Sequence, residues 1–154
     1  MNPESKVQTF LWFQDGLEDA LTFYTKTFGD VRINEMERMP DGSLFTADFH
    51  IFDREFIGMC MRIDDGPKFN DSVSIMIQCE DQAEIDRYWD AITEKGEAIA
   101  CGWCRDQWGI TWQIVPRNLR EFLGHPDTDK RNAINTCFQS MQKIVIAELE
   151  ALAG

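Results

Sequence analysis

The sequence predicts an α+β protein. Two strand–helix–strand–strand–strand modules contribute to one curved mixed sheet with the helices outside, and a C-terminal helical extension comes after them. Three observations predict this. Apolar periodicity runs strand, helix, strands, and then does so again. The residues that start and stop the two helices recur at a nearly fixed offset: Asp15 and Asp81 lie 66 residues apart, Gly29 and Gly96 lie 67 apart. The residues beyond Pro116 keep helical spacing but match neither copy. The chain is read as a single domain, 1–154, with module 1 at 7–64, module 2 at 71–116 and a helical tail at 117–154.

Module 1 opens with "VQTFLWFQ" (7–14), short, apolar and aromatic, which reads as a buried strand. Asp15 followed by Glu18 resembles a capping box. Leu17, Ala20, Leu21, Tyr24 and Phe28 then form one apolar helical stripe, and Gly29 suits a left-handed stop. Strand-like runs come next at 31–39, 43–51 and 55–63, with Asp41-Gly42 as a turn between the first two. "DGPKFND" (65–71) reads as the linker. Module 2 repeats the order with "SVSIMIQC" (72–79), a helix start at Asp81 and Glu84, a stripe of Ile85, Tyr88, Trp89 and Ile92, a stop at Gly96, and strands ending in "ITWQIVP". Either module alone exposes one face of its sheet; the pair is expected to enclose a concave cleft suited to a small ligand. In the tail, Pro126 marks a helix start. Ile134, Cys137, Phe138 and Met141, then Ile144, Ala147, Leu149 and Leu152, keep the spacing of stripes that pack on their own domain or on a twin subunit.

With 44% apolar residues, 11 Phe and 5 Trp, the chain can fill a core, which excludes disorder. A formal net charge of −12 without a basic run argues against nucleic acid and against an anionic membrane surface. No window approaches the roughly 20 apolar residues of a membrane span. "MNPESKVQTFLWF" lacks the build of an export signal, so the expected location is the cytoplasm, where disulfides are not expected for the five cysteines.

"CGWCRDQWGITWQIVP" (101–116) poses the main chemical question. A redox Cys-x-x-Cys needs a helix start to lower a thiol pKa, whereas Cys104 leads into a turn and a strand. A structural zinc site needs about four ligands, usually two such pairs. The reading is therefore that Cys101 and Cys104 are small apolar residues on a strand. Beyond the turn at Gly109, alternation sets Ile110, Trp112 and Ile114 on one face and Thr111, Gln113 and Val115 on the other. If the large set lies beneath the helix, Gln113 points into the cleft, as a functional group or as a satisfied structural amide.

The doubled unit, with "LWFQDGLEDALTFYTKTFG", "DRYWDAI", "CGWCRDQWGITWQIVP" and "MQKIVIAELE", resembles the glyoxalase/bleomycin-resistance (vicinal oxygen chelate) superfamily, and within it the 3-demethylubiquinone-9 3-methyltransferase-like branch. The resemblance covers nearly the whole chain and implies two βαβββ modules and commonly a homodimer. Metal-using members hold a divalent ion on inner strands; the corresponding positions here are Gln8 (or Thr9), Met59 or Cys60, Ser74 and Gln113. A divalent ion wants carboxylates and imidazoles, so no metal and no cofactor is expected, and His50 and His125 fall outside the set. The methyltransferase label meets no Gly-rich donor-binding turn.

The leading expectation is a protein that binds a small, apolar or aromatic molecule. Phe10, Trp12, Met59, Trp103 and Trp108 would supply stacking and dispersion, if they are not core, and Gln8, Ser74 and Gln113 orienting hydrogen bonds. Cys60 is the one candidate nucleophile near the cleft, without an adjacent base. The alternatives are an enzyme of the superfamily (methyltransferase, lyase, isomerase or dioxygenase) and a non-catalytic dimeric scaffold built on the tail.

Overall fold

The computed structural model describes residues 5–154. The chain divides into two compact units, with the boundary between Lys68 and Phe69, inside the expected linker. The first contains β1 (Thr9–Phe13), α1 (Leu17–Phe28), β2 (Val31–Arg38), β3 (Leu44–Ile51) and β4 (Arg54–Cys60). They form a four-stranded sheet in the order β1-β4-β3-β2, with β1 parallel to β4 and the other pairs antiparallel. The whole predicted stripe of α1 is buried. It packs on the sheet side that carries Leu11, Phe13, Leu44, Ala47, Phe49 and Ile51, all buried. Gly58 lies under the helix because space is short there: a Cβ on it would stand 2.6 Å from Leu17 Cδ1. Along β2 every residue but Val31 is exposed, and the alternation of charges suits an edge strand that must not recruit another chain.

The second unit contains β5 (Ser74–Cys79), α2 (Gln82–Lys95), β6 (Glu97–Ala98), β7 (Trp103–Arg105) and β8 (Thr111–Pro116), in the order β5-β8-β7-β6 with β5 parallel to β8. The strands of each unit thus repeat the same mixed order, first strand beside last. The stripe Ile85, Tyr88, Trp89 and Ile92 is buried against the sheet side of Ile77, Cys79, Cys104, Trp112 and Ile114.

Two helix signals differ from expectation. At α1 the N-cap is Gly16, left-handed at φ 75°, with no side-chain cap; Asp15 is displaced by one position and does not cap. At α2 Asp81 does cap, accepting from the Glu84 backbone N–H at 2.9 Å, while Glu84 accepts in return from the Glu80 N–H. The glycine stops also divide. Gly29 is left-handed (φ 80°), as expected. Gly96 is not (φ −109°); it is glycine because a Cβ would fall on the Arg105 carbonyl oxygen and 2.6 Å from that of Ile92.

The tail forms α3 (Leu119–Leu123), α4 (Thr128–Ser140) and α5 (Ile146–Ala153) and groups with the second unit. Asp127, one residue after the expected Pro126, caps α4 by accepting from the Lys130 N–H at 3.0 Å. The tail's apolar residues pack internally: Phe122, Ile134, Met141, Ile144 and Leu149 bury with Val115 of β8. No helix among the described residues is long and apolar enough to cross a membrane.

Candidate functional site

Each sheet has one side under α1 or α2 and an opposite, helix-free side (free of those two helices; in the second unit the tail helices bury it at Val115), and alternation assigns every strand residue to one or the other. In the second unit Trp112 and Ile114 are both 0% exposed on the helix side, so Thr111, Gln113 and Val115 take the opposite one. Register then builds that helix-free face in rows. Gln113 stands between Trp103 on β7 and Met76 on β5; Thr111 stands between Arg105 and Ser74. Ser74 and Gln113 are brought together: Gln113 Nε2 donates to Ser74 Oγ at 2.8 Å, both residues half-buried. Trp103 is half-buried and Met76 exposed, so the pair has apolar neighbours on both sides.

At one end of the face lies a charged lattice. Arg105 donates to both carboxylate oxygens of Asp71, at 2.8 and 2.6 Å, and pairs with Glu97; buried Thr111 donates to Asp71 at 2.6 Å. The guanidinium and the hydroxyl hold the Asp71 carboxyl at about 2, well below the usual carboxylate range.

The 101–116 stretch has a structural logic that its cysteines do not carry. Asp106, 4% exposed, accepts from the backbone N–H groups of Trp108 and Ile110, each at 3.0 Å, and from the Trp112 indole N–H at 2.9 Å. The tight turn closes with Gly109 N–H donating to the Asp106 carbonyl and Gly109 at φ 94°. This carboxylate fixes the passage from β7 to β8, and with it the register that sets Trp103 beside Gln113. Trp108 sits in the turn, outside the strand rows. Cys104 is on β7 as expected, fully buried, its thiol pushed up to about 12 by desolvation. Cys101 is not on a strand. It lies in a turn at φ 56°, where its N–H and that of Gly102 donate to the Met141 and Gln142 carbonyls and dock the tail. The two residues of the Cys-x-x-Cys therefore serve different local structures, and all five cysteines are free thiols.

In the first unit, register puts Phe10 beside Ile57 and Trp12 beside Met59, on the side away from α1. Phe10 is 56% exposed, and Gln8, Trp12 and Met59 are half-buried. Cys60 pairs with Phe13 and so belongs to the opposite side from Met59. Trp12 also has a structural role, because its indole N–H donates to the Met61 carbonyl at 2.7 Å. Gln14 holds the same segment through the Ile63 N–H and the Pro67 carbonyl.

One polar group escapes the sequence reading. His50 and Glu55, 5% and 8% exposed, face each other across the β3–β4 hairpin at 3.4 Å. Asn34 Nδ2 lies 3.0 Å from His50 Nδ1, and Glu55 accepts from the Ser5 N–H at 3.1 Å. With so little exposure, this group ties the segment before β1 to the hairpin. The hairpin pairing was its only sequence signal. His125 accepts from the Asp127 N–H at 3.1 Å in the α3–α4 loop, outside the strand rows of both units.

Gln8 or Thr9, Met59 or Cys60, Ser74 and Gln113, the positions that the resemblance assigns to a metal, carry no carboxylate and no imidazole, so their chemistry does not fit a hard divalent ion. Ser74 and Gln113 bond each other. Among the described residues, no three of His, Cys, Asp or Glu are grouped to hold a metal ion.

No curated protein sequence matches the chain. Solved structures do. The PhnB protein from Bacillus cereus, described as a putative 3-demethylubiquinone-9 3-methyltransferase, is 25% identical over 73% of this chain and 99% of its own, with a TM-score of 0.68. The protein PA1353 from Pseudomonas aeruginosa (16% identity, 71% of this chain, 95% of its own, TM-score 0.58) shares the fold. So does the fosfomycin resistance protein FosX from Mesorhizobium loti (17%, 80% and 100%, TM-score 0.56). The family described as 3-demethylubiquinone-9 3-methyltransferase matches residues 5–115, that is, both modules almost to the end of β8, and the chain belongs to that family, within the glyoxalase/vicinal oxygen chelate superfamily.

Proposed function

We propose that the chain binds a small, largely apolar or aromatic molecule on the helix-free side of its sheets, with no divalent ion at the positions other superfamily members use for one. The observation that carries this reading is the Ser74–Gln113 pair: polar, uncharged, half-buried and set between Trp103 and Met76. Binding surfaces of this kind combine apolar area with a few orienting polar groups. The exposed Phe10 beside Ile57 supports the same reading for the first unit. A thermal-shift screen against quinones, phenols and sulfonium methyl donors tests it: a shift with an aromatic class supports it, and none with any class removes it. Elemental analysis after soaking with divalent ions tests the metal clause, for which the expected result is no stoichiometric metal.

A second reading rests on the family's description, methyl transfer to a demethylubiquinone-type acceptor. It predicts that a sulfonium methyl donor and a phenolic acceptor each raise Tm, and raise it further together. A shift with the acceptor class alone favours the binding reading.

A further inference from the structure

The Ser74–Gln113 bond leaves a defined remainder. A hydroxyl offers one hydrogen and two lone pairs, and a primary amide offers two N–H groups and a carbonyl oxygen. With Gln113 Nε2 donating and Ser74 Oγ accepting, the Ser74 hydrogen remains as a donor and Gln113 Oε1 as an acceptor. Neither has a further partner among the described residues, and register places both residues on the helix-free face between adjacent strands. Charge is already committed nearby. Arg105, one row away, is engaged by Asp71 and Glu97, two carboxylates against one guanidinium, so an incoming anion meets no uncommitted cation there and a net negative field. A cation would find only a neutral amide oxygen at the pair, because both Asp71 oxygens are already bonded.

The geometry points to a neutral ligand that carries a hydrogen-bond donor and an acceptor side by side on one edge, in the manner of a lactam, attached to an apolar or aromatic body. The lactam N–H donates to Gln113 Oε1, the Ser74 hydroxyl donates to the lactam carbonyl, and the body lies along Trp103 and Met76. This inference rests on the reading of the helix-free face as a binding surface and names the chemistry that face selects. It excludes carboxylates and phosphonates as preferred ligands.

The test is calorimetric titration of the full chain with three bicyclic aromatic probes of one shape: isoquinolone, its N-methyl derivative and naphthoate. Isoquinolone should bind roughly tenfold or more tighter than either of the others, since two neutral hydrogen bonds are at stake. Ser74→Ala and Gln113→Leu should each bring isoquinolone down toward the affinity of its N-methyl derivative. Both variants are monitored by Tm, and because either one suffices, a folding defect in the other does not rescue the inference. Equal affinities for the three probes, or a preference for naphthoate, overturn the ligand class while leaving the binding face intact. No binding of any probe overturns the face itself and the class with it.

Discussion

Asp106→Asn is the substitution that most directly tests how the second unit is built. The native carboxylate takes three donors: two backbone N–H groups on Oδ1 and the Trp112 indole on Oδ2. Asparagine keeps one oxygen. If that oxygen stays with the Trp108 and Ile110 N–H groups, the new NH2 faces the indole N–H, donor against donor, around a tryptophan that is 0% exposed. An orphaned buried donor costs about 1–3 kcal/mol, and a hydrogen bond to a charged acceptor is worth about 1.5–3. Removing a buried carboxylate relieves part of this, because its own desolvation is costly. The net expectation is a loss of about 2–4 kcal/mol. At about 2–4 °C per kcal/mol for a chain of this size, Tm falls by about 4–16 °C. Urea denaturation followed by tryptophan fluorescence measures the free energy directly. Trp112→Phe supplies the control, since it removes the indole donor that asparagine cannot satisfy. The double variant should then be less destabilised than the sum of the singles, by about 1–2 kcal/mol of coupling. An Asp106→Asn protein within about 0.5 kcal/mol of the parent, or strict additivity in the cycle, refutes the account.

Other outcomes depend on the same geometry. Cys79 and Cys104 are buried, with thiols pushed up to about 12, so an aromatic disulfide reagent at pH 8 should modify at most the remaining three cysteines until denaturant is added; rapid modification of all five would contradict that burial. Because the Asp71 carboxyl is held at about 2 in the fold against 3.8 in the unfolded chain, its contribution is fully present above about pH 4 and is lost as pH falls toward 2; Tm of the parent should drop across that window, and Asp71→Asn should show a shallower drop. Gly96→Ala forces a methyl onto the Arg105 carbonyl, which is backbone and cannot swing aside, and should cost more than about 3 kcal/mol by urea denaturation; a loss below about 1 would show that the α2–β6 corner gives way easily.

How much the sequence reveals depends on how strictly burial constrains each residue. The stripes of α1 and α2 were legible because a helix can hide only one side, and each predicted stripe position is buried. The face of Gln113 was legible for the same reason one level up: Trp112 and Ile114 are too large and apolar for the open side, and strict alternation then leaves Gln113 no choice. Partners are harder, since a hydrogen bond depends on which atom arrives, and that is decided by distant chain. The Trp12 indole meets a carbonyl 49 residues away, and this dual position on the open face and in a structural bond has no local signature. Asp106 reads as one more turn residue until the fold delivers three donors to it. Even local signals fail when two good residues compete. Asp15 and Gly16 both suit a helix start, and the left-handed turn that only glycine enters cheaply takes the position.

The contrast between Asp106 and the Ser74–Gln113 pair shows why the same motif holds a scaffold and a candidate site without confusing them. A buried carboxylate with three converging donors is fully committed, and the stability it confers depends on that commitment. A half-buried hydroxyl and amide that satisfy each other only once keep a donor and an acceptor in reserve. Seven residues apart on the chain, Asp106 sets the register and Gln113 is presented by it. Substitution at the first should therefore lower stability and, through register, any affinity measured at the second. Substitution at the second should lower affinity and leave stability nearly unchanged, and a fall in urea midpoint comparable to that of Asp106→Asn would place Gln113 in the scaffold instead.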